Sequence, residues 1–263
     1  MTANDDYTLA ELRICAAAEI WRDDGEILAT PIGVLPRLAA SLCATTLNAD
    51  LMITDGENTL VAEPVPLGPR GDYRPKADSW MGYAQVFDFV WSGKRHALIG
   101  PAQVDRFGQA NISCIGDYRR PKAQMLGVRG LPGNSISHAN SFFVPSHSRK
   151  VFVEGECDMV ASIGYNPARL PHGYRFEDID IRRVITDLCV LDFQGPGRQA
   201  RIRALYPGVT VEQVQDNTGF ALHVPDTVPV FPEPTAAQLA IIRRLDPHDL
   251  RDKQLKGNPV GRR

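Results

Sequence analysis

Early in the chain, a short apolar strand, a helix and a second apolar strand follow one another, and this order constrains the fold more than any other feature. Residues 26–29 are predicted to form the first strand and residues 34–47 the helix, in which Pro36 suits the first turn. Residues 51–54 are predicted to form the second strand, which ends at Asp55. Strands joined through a helix pair in parallel, so the sequence predicts a βαβ unit and an α/β fold.

Predicted elements alternate with irregular stretches along the rest of the chain. Thr8 and Glu11 have the spacing of a capping box at the start of a helix. Residues 59–79 and 116–147 are rich in Gly or Pro and show no clear element, and loops this long are uncommon unless they are functional. Further elements are predicted as follows: helices over residues 85–91, 211–215 and 236–245, strands over 96–99, 111–115, 151–153 and 159–163, and one strong strand over 183–193 that pairs with 201–206 as a hairpin.

The composition is that of an ordinary globular protein and excludes several functions. The net charge is −2, so there is no basic excess to attract nucleic acid or an anionic membrane. The five cysteines include no Cys-x-x-Cys pair and indicate reduced thiols in a cytoplasmic protein, and the histidines show no metal-ligand spacing. We expect neither a secretory signal nor a membrane span. Because no composition break marks a linker, we predict one domain over residues 1–245 and a charged tail over 246–263.

An ordered set of motifs carries a family resemblance. Residues 98–121 read LIGPAQVDRFGQANISCIGDYRRP, which resembles the β subunit of glutaconate-type CoA-transferases, members of the class I CoA-transferase family. Four further segments look like landmarks of that family: GVRGLPGN at 127–134, VITDL at 184–188, YPGVT at 206–210 and DNTGF at 216–220. The resemblance covers about residues 20–245 and implies an open, mainly parallel sheet flanked by helices, the class I CoA-transferase fold.

One departure from the family pattern bears on the chemistry. The transferases carry a nucleophilic Glu just after an early buried strand, and the matching position here is Asp55, followed by Gly56 and Glu57. A carboxylate one methylene shorter is a serious change, because covalent catalysis needs reacting atoms about 3–3.5 Å apart. This version is similar to the β subunits of a branch of the family that opens the last steroid ring in cholesterol-degrading bacteria. The resemblance to that branch implies that the principal catalytic Glu lies in a separate α-type subunit.

The candidate site residues follow from the same comparison, each with a structural alternative. The candidates for catalysis are Asp55, Glu57 and His138, and those for substrate or CoA binding are Gly100, Gln103, Gly127, Gly130, Gly133 and Asn134. Glycine N–H groups can approach a thioester oxygen as in an oxyanion hole, but glycines also make turns. An Asp after a strand often only bonds its own turn, Gln103 is equally suited to structural hydrogen bonding, and a lone His is more often structural than a general base.

The resemblance implies an enzyme that works as a complex with an α-type CoA-transferase subunit, as an α2β2 heterotetramer. The primary hypothesis is an acyl-CoA hydrolase that opens a steroid ring by adding water to a ketone β to the thioester. The alternatives are a true CoA-transferase, with Asp55 or Glu57 as nucleophile, and a scaffold subunit that only completes the partner's pocket. No metal and no cofactor are expected, apart from the coenzyme A of the substrate.

Overall fold

The computed structural model of the chain describes residues 7–56, 58–125 and 130–255. The helices are α1 (Leu9–Ala18), α2 (Val34–Thr46), α3 (Tyr83–Trp91), α4 (Leu131–Ser137), α5 (Val211–Asp216) and α6 (Ala236–Leu245). The strands are β1 (Leu28–Pro31), β2 (Thr54–Asp55), β3 (Thr59–Val61), β4 (Ala77–Trp80), β5 (Arg95–Ile99), β6 (Gln103–Val104), β7 (Ala110–Asn111), β8 (Cys114–Ile115), β9 (Ala123–Gln124), β10 (Ala139–Phe143), β11 (Ile181–Ile185), β12 (Cys189–Asp192) and β13 (Arg201–Leu205). The chain divides into two compact units, residues 1–98 with 232–263 and residues 99–231. Whether residues 1–245 fold as one domain stays a prediction.

The first unit contains the predicted βαβ arrangement. Strand β1 pairs in parallel with β5 and begins two residues later than predicted. The second predicted strand is reduced to one parallel bridge: Ala29 N donates to the Met52 carbonyl at 3.0 Å, and Met52 N donates to the Ile27 carbonyl at 3.0 Å. Helix α2 connects the two strands, as predicted, and packs against α1.

The start of α1 is fixed by the predicted capping box and by a buried ion cluster. Glu11 N donates to Thr8 Oγ1 at 3.3 Å, and Thr8 N donates to Glu11 Oε2 at 2.9 Å. The fully buried Glu11 carboxylate also pairs with Arg243 of α6 at 2.8 Å and with Arg251 at 3.3 Å. Arg251 in turn pairs with buried Asp246 at 3.0 Å. The described part of the predicted tail, up to residue 255, is therefore tied to α1 by charge.

The prediction of an irregular stretch over residues 59–79 is wrong at both ends. Strands β2, β3 and β4 form a three-stranded antiparallel sheet. The Thr-Leu-Val sequence of β3 is short but has the β-branched character that strands favour. The Pro- and Gly-rich residues between β3 and β4 make only the connection.

The second unit is built on β10 to β13. Strand β10 pairs in parallel with β11, and β12 is antiparallel to both β11 and β13. The single strand predicted over residues 183–193 is wrong, because Thr186 turns the chain there: its hydroxyl accepts from Leu188 N and Cys189 N, each at 3.0 Å. The predicted hairpin with residues 201–206 is confirmed by the pairing of Asp192 with Arg201.

Other expectations for the second unit were less accurate. Strand β10 and helix α4 lie in the stretch predicted to be irregular over residues 116–147. The strands predicted at 151–153 and 159–163 are single bridges at Phe152 and Ser162. Parallel pairs, flanked by α1 and α2 in the first unit, nevertheless confirm the α/β class. None of the helices within the described residues has the length and apolar character that crossing a bilayer takes.

Candidate functional site

Asp55 lies at the end of β2, held between two arginine side chains of the first unit. Arg37, in the first turns of α2, donates from Nη2 to Asp55 Oδ1 at 2.7 Å. Arg70, in the connection between β3 and β4, donates from Nη1 to Asp55 Oδ2 at 3.0 Å. Each oxygen of the carboxylate therefore accepts a charge-assisted hydrogen bond, the stronger class of such bonds.

This arrangement sets the charge state of Asp55. Partial burial raises the pKa of its carboxyl, but the hydrogen bonds from Arg70 and Arg37 outweigh burial and hold the pKa below its ordinary value. Asp55 is thus ionised at neutral pH. A carboxylate shared by two guanidinium groups is a weaker base and a weaker nucleophile than a free one. The cluster of one carboxylate and two cations carries a net positive charge, with the Arg37 and Arg70 side chains 33% and 30% exposed.

Gln103 is the centre of a hydrogen-bond network in the second unit. Its Oε1 accepts from Asn111 Nδ2 at 2.7 Å and from Asp158 N at 3.0 Å, and its Nε2 donates to Asp158 Oδ2 at 3.0 Å. The Asp158 carboxylate also accepts from Gly116 N at 2.8 Å. The side chain of Gln103 is buried, and its bonds join β6 to β7 and to residue 158. This geometry is that of the structural alternative, and a contact of Gln103 with substrate stays a prediction.

The remaining described candidates of the second unit lie in α4 or at its ends, apart from Gly100. Gly130 caps the helix, and its carbonyl accepts from Asn134 N at 3.0 Å. A methyl group on Gly130 would meet no atom of the described residues within 4 Å. Gly133 lies inside the helix. A methyl group on Gly100 would lie 3.5 Å from the Phe143 carbonyl, an ordinary contact.

His138 ends α4 and is buried. Its Nδ1 lies 2.9 Å from the carbonyl oxygen of Ala139, and a proton on Nδ1 donates to that oxygen. In the neutral ring this tautomer leaves Nε2 as the basic nitrogen, the form that a general base needs. Next to it, Asn140 Nδ2 donates to the carbonyls of His138 and Asn134 at 2.7 and 3.0 Å, which fixes the backbone at the end of α4. A catalytic role for His138 stays a prediction.

The predicted site residues thus fall in both units. Asp55 belongs to the first, and Gly100, Gln103, Gly130, Gly133, Asn134 and His138 belong to the second. Glu57 and Gly127 lie outside the described residues. Among the residues that the structure describes, no cluster of three or more His, Cys, Asp or Glu side chains could hold a metal ion.

Sequence reasoning missed the two arginines, although one signal pointed to the first. Arg37 is the single charged residue of α2, in the sequence VLPRLAASLCATT. An isolated cation on a largely apolar helix indicates a carboxylate nearby in the fold. Arg70 gave no such signal, because it lies in the Pro- and Gly-rich connection. It is 15 residues from Asp55, and only the fold of the β2–β4 sheet brings the two together.

Comparison with known proteins defines the class first. The glutaconate coenzyme A-transferase of Acidaminococcus fermentans matches with a TM-score of 0.78 and 26% identity, over 93% of this chain and 96% of that one. The crystal structure of IpdAB from Rhodococcus jostii RHA1 matches with a TM-score of 0.86 and 39% identity, over 95% of this chain and 98% of that one. The fold is therefore the class I CoA-transferase fold that the motifs predicted.

The sequence comparison then defines the family within that class. The cholesterol ring-cleaving hydrolase IpdB subunit of Mycobacterium tuberculosis H37Rv is 40% identical over 250 residues, which is 95% of this chain and 99% of the relative. No protein-family model matches the chain. The chain belongs to the family of the cholesterol ring-cleaving hydrolase IpdB subunits, and the resemblance stated from the motifs is confirmed.

Proposed function

We propose that this chain is the β-type subunit of a cytoplasmic acyl-CoA hydrolase that opens the last ring of a steroid-derived β-keto acyl-CoA. It works with an α-type partner subunit, as an α2β2 heterotetramer, and needs no cofactor beyond the coenzyme A of the substrate. The observation that carries the proposal is the 40% identity, over 95% of the chain, to subunits named as cholesterol ring-cleaving hydrolases. The glutaconate and 3-oxoadipate CoA-transferase B subunits are 28% and 29% identical to it.

The proposed reaction is a hydrolytic retro-Claisen cleavage. A carboxylate of the α-type subunit takes a proton from water, and the water oxygen bonds to the ring ketone carbon β to the thioester. The bond between that carbon and the α-carbon breaks, and its electron pair passes into the thioester as an enolate. The α-carbon then takes up the proton, so that one water is consumed and a new carboxylate is formed. Preorganised donors speed such a step by stabilising the developing negative charge.

The arginine pair gives Asp55 a role that suits hydrolysis. Both Asp55 oxygens are occupied by guanidinium groups, so attack on a thioester would have to break strong hydrogen bonds. In this proposal Asp55 instead fixes Arg37 and Arg70. Their remaining N–H groups then face the acyl-CoA as preorganised cations.

An isotope experiment separates hydrolysis from transfer. The purified α/β complex is incubated with a cyclic β-ketoacyl-CoA in water enriched in oxygen-18, without any CoA acceptor. We expect an open-chain carboxylate that carries one labelled oxygen while the CoA thioester stays intact. Absence of product until a carboxylic acid acceptor is added would overturn the proposal.

A CoA-transferase is the second candidate, because the chain has the transferase fold and the family resemblance matches Asp55 to the transferase nucleophile. That reaction forms an acyl anhydride and then a CoA thioester on the carboxylate of the enzyme. Borohydride or hydroxylamine treatment during turnover tests for it. Loss of activity with modification of the Asp55 peptide would favour transfer, and unchanged activity favours hydrolysis.

A further inference from the structure

The structure places large aromatic side chains in solvent around α3. Trp80, at the end of β4, is 66% exposed, and in α3 Tyr83 is 80%, Phe87 is 47% and Trp91 is 65% exposed. The three helical positions follow one another at intervals of four residues, so they form one stripe along the helix. We refer to Trp80, Tyr83, Phe87 and Trp91 as the aromatic face.

Helix α3 is poorly covered by the part of the chain that the structure describes. Within the helix, all of which the structure describes, Val90 alone is buried. A folded chain normally turns the apolar stripe of a helix inward, and here Tyr83 and Phe87 instead pack edge-to-face at 5.2 Å on the outside. A helix of this composition needs a covering surface, and the described residues of its own unit do not provide one.

The exposed aromatic area is more than half of what one side of a standard protein interface covers. An aromatic side chain covers about 150–250 Å² when it is buried, so the aromatic face leaves roughly 500 Å² in water. A standard interface covers about 800 Å² per partner, with Trp and Tyr as its strongest contributors. A cleft of about 410 Å³ opens at Trp80, on the side of α3 that carries Gln85 and Phe89 and not the stripe, and it has room for side chains of a partner.

Strand register connects this face to the Asp55 cluster. In the β2–β4 sheet, Asp55 pairs with Thr59, and Thr59 pairs with Trp80. Residues paired directly across antiparallel strands point to the same side of a sheet. Trp80 therefore lies on the same side as Asp55 and two strands away, which is roughly 10 Å. The aromatic face therefore begins, at Trp80, about two strand spacings from the Asp55 cluster of the proposed acyl-CoA site.

We propose that the aromatic face is the docking surface for the α-type partner subunit. This inference rests on the proposed two-subunit function. An acyl-CoA site to which two subunits contribute lies at their contact, and Trp80, the first residue of the face, lies two strands from Asp55 on the same side of the sheet. The partner's complementary surface is apolar, with pockets that receive Trp80 and the stripe of α3.

The first test measures assembly without substrate, so that it is independent of the reaction. Phe87→Gln and Trp91→Gln are combined, and the affinity of the variant for the α-type subunit is compared with that of the unaltered chain. Tyr118→Ser is the matched control, because Tyr118 is a 59% exposed aromatic residue of the other unit. We expect a roughly tenfold or greater loss of affinity for the double variant and none for the control. Equal affinities of all three chains would overturn the proposal.

A second test needs no destabilising variant. p-Benzoylphenylalanine replaces Phe87 in the co-expressed complex and is irradiated, with the same replacement at Tyr118 as control. A cross-link to the α-type subunit from position 87 alone supports the proposal. A cross-link to a second copy of this chain, or to acyl-CoA with none to protein, assigns the face to another occupant and overturns it. If the isotope experiment failed while this cross-link formed, the reaction would be wrong and the interface right.

Discussion

His147 is held as a neutral imidazole inside the second unit, and this makes stability depend on pH. Its Nδ1 lies 3.1 Å from Thr186 Oγ1, its Nε2 lies 2.9 Å from Thr218 Oγ1, and its ring packs against Phe152 at 4.1 Å. Burial lowers the pKa of His147 from 6.5 to about 3. No charged partner balances a proton on this ring among these contacts.

The sign and size of the effect follow from that shift. Between pH 6.5 and 3, His147 is protonated in the unfolded chain but not in the folded chain. The free energy of unfolding therefore falls as the pH falls below 6.5. From pH 7 to pH 5 the loss is about 2 kcal/mol, at 1.36 kcal/mol per pKa unit. Asp105 acts in the opposite direction. Burial raises its pKa to about 6, so below that pH the folded chain gains protons that the unfolded chain does not.

A substitution at His147 distinguishes its contribution to the pH dependence from that of Asp105. We expect the free energy of unfolding of the unaltered chain, measured by urea titration with far-UV circular dichroism, to change between pH 7 and pH 5 by the sum of all titrating groups. His147→Gln removes one of these groups. Between pH 7 and pH 5 the variant should therefore lose about 2 kcal/mol less unfolding free energy than the unaltered chain, whatever the substitution costs at pH 7. The control is His172→Gln, which replaces an exposed histidine of the same unit.

Two results of these measurements would contradict the expected pH dependence. If the difference in unfolding free energy between the unaltered chain and His147→Gln were the same at pH 7 and pH 5, the ring would not be held neutral. If His172→Gln changed the pH dependence as much as His147→Gln, burial would not be the cause. Either result refutes the reasoning from desolvation.

Three further predictions follow from other contacts. Asp55→Asn should lower kcat roughly tenfold to a hundredfold with KM little changed. In the unaltered enzyme, mass spectrometry after turnover should find no CoA or acyl group on the peptide that contains Asp55, and a labelled peptide would contradict this. Arg251→Ala should cost about 3 kcal/mol of unfolding free energy in urea, because it removes a cation from the buried Glu11 carboxylate; a cost below about 1 kcal/mol would argue against the cluster. Gly164→Ala should lower the melting temperature more than Gly173→Ala does, because a Cβ at residue 164 would lie 2.5 Å from backbone atoms. Gly173 also has a positive φ, but a Cβ there meets nothing described within 4 Å, so equal losses would refute the clash.

Features that depend on neighbours in sequence were predictable. The capping box of Thr8 and Glu11 is a contact over three residues, and it is present. Helix α2 follows from apolar spacing with Pro36 in its first turn, and its observed bounds differ from the prediction by one residue. The family was also predictable, because its motifs occur in order along nearly the whole chain.

Features that depend on distant contacts were not predictable from one sequence. Gln103 takes its partner Asp158 from 55 residues away, so its structural role could only be offered as an alternative. The break between β11 and β12 contains neither Gly nor Pro, and the Thr186 hydroxyl makes the turn instead. Strand β10 was not predicted, because it buries the polar residues Asn140 and Ser141, which interrupt the apolar pattern of a buried strand.

The bond between Glu11 and Arg243 joins residues 232 apart and has a consequence for synthesis on the ribosome. The first unit consists of residues 1–98 and 232–263, so α6 is translated after the whole of the second unit. Residues 99–231 emerge as a complete unit and have all their own strands before Arg243 appears. Until then α1 carries a carboxylate whose cations have not been made. A chain that terminates before Arg243 keeps that charge without its partners, and cellular quality control should degrade it while the full-length chain survives.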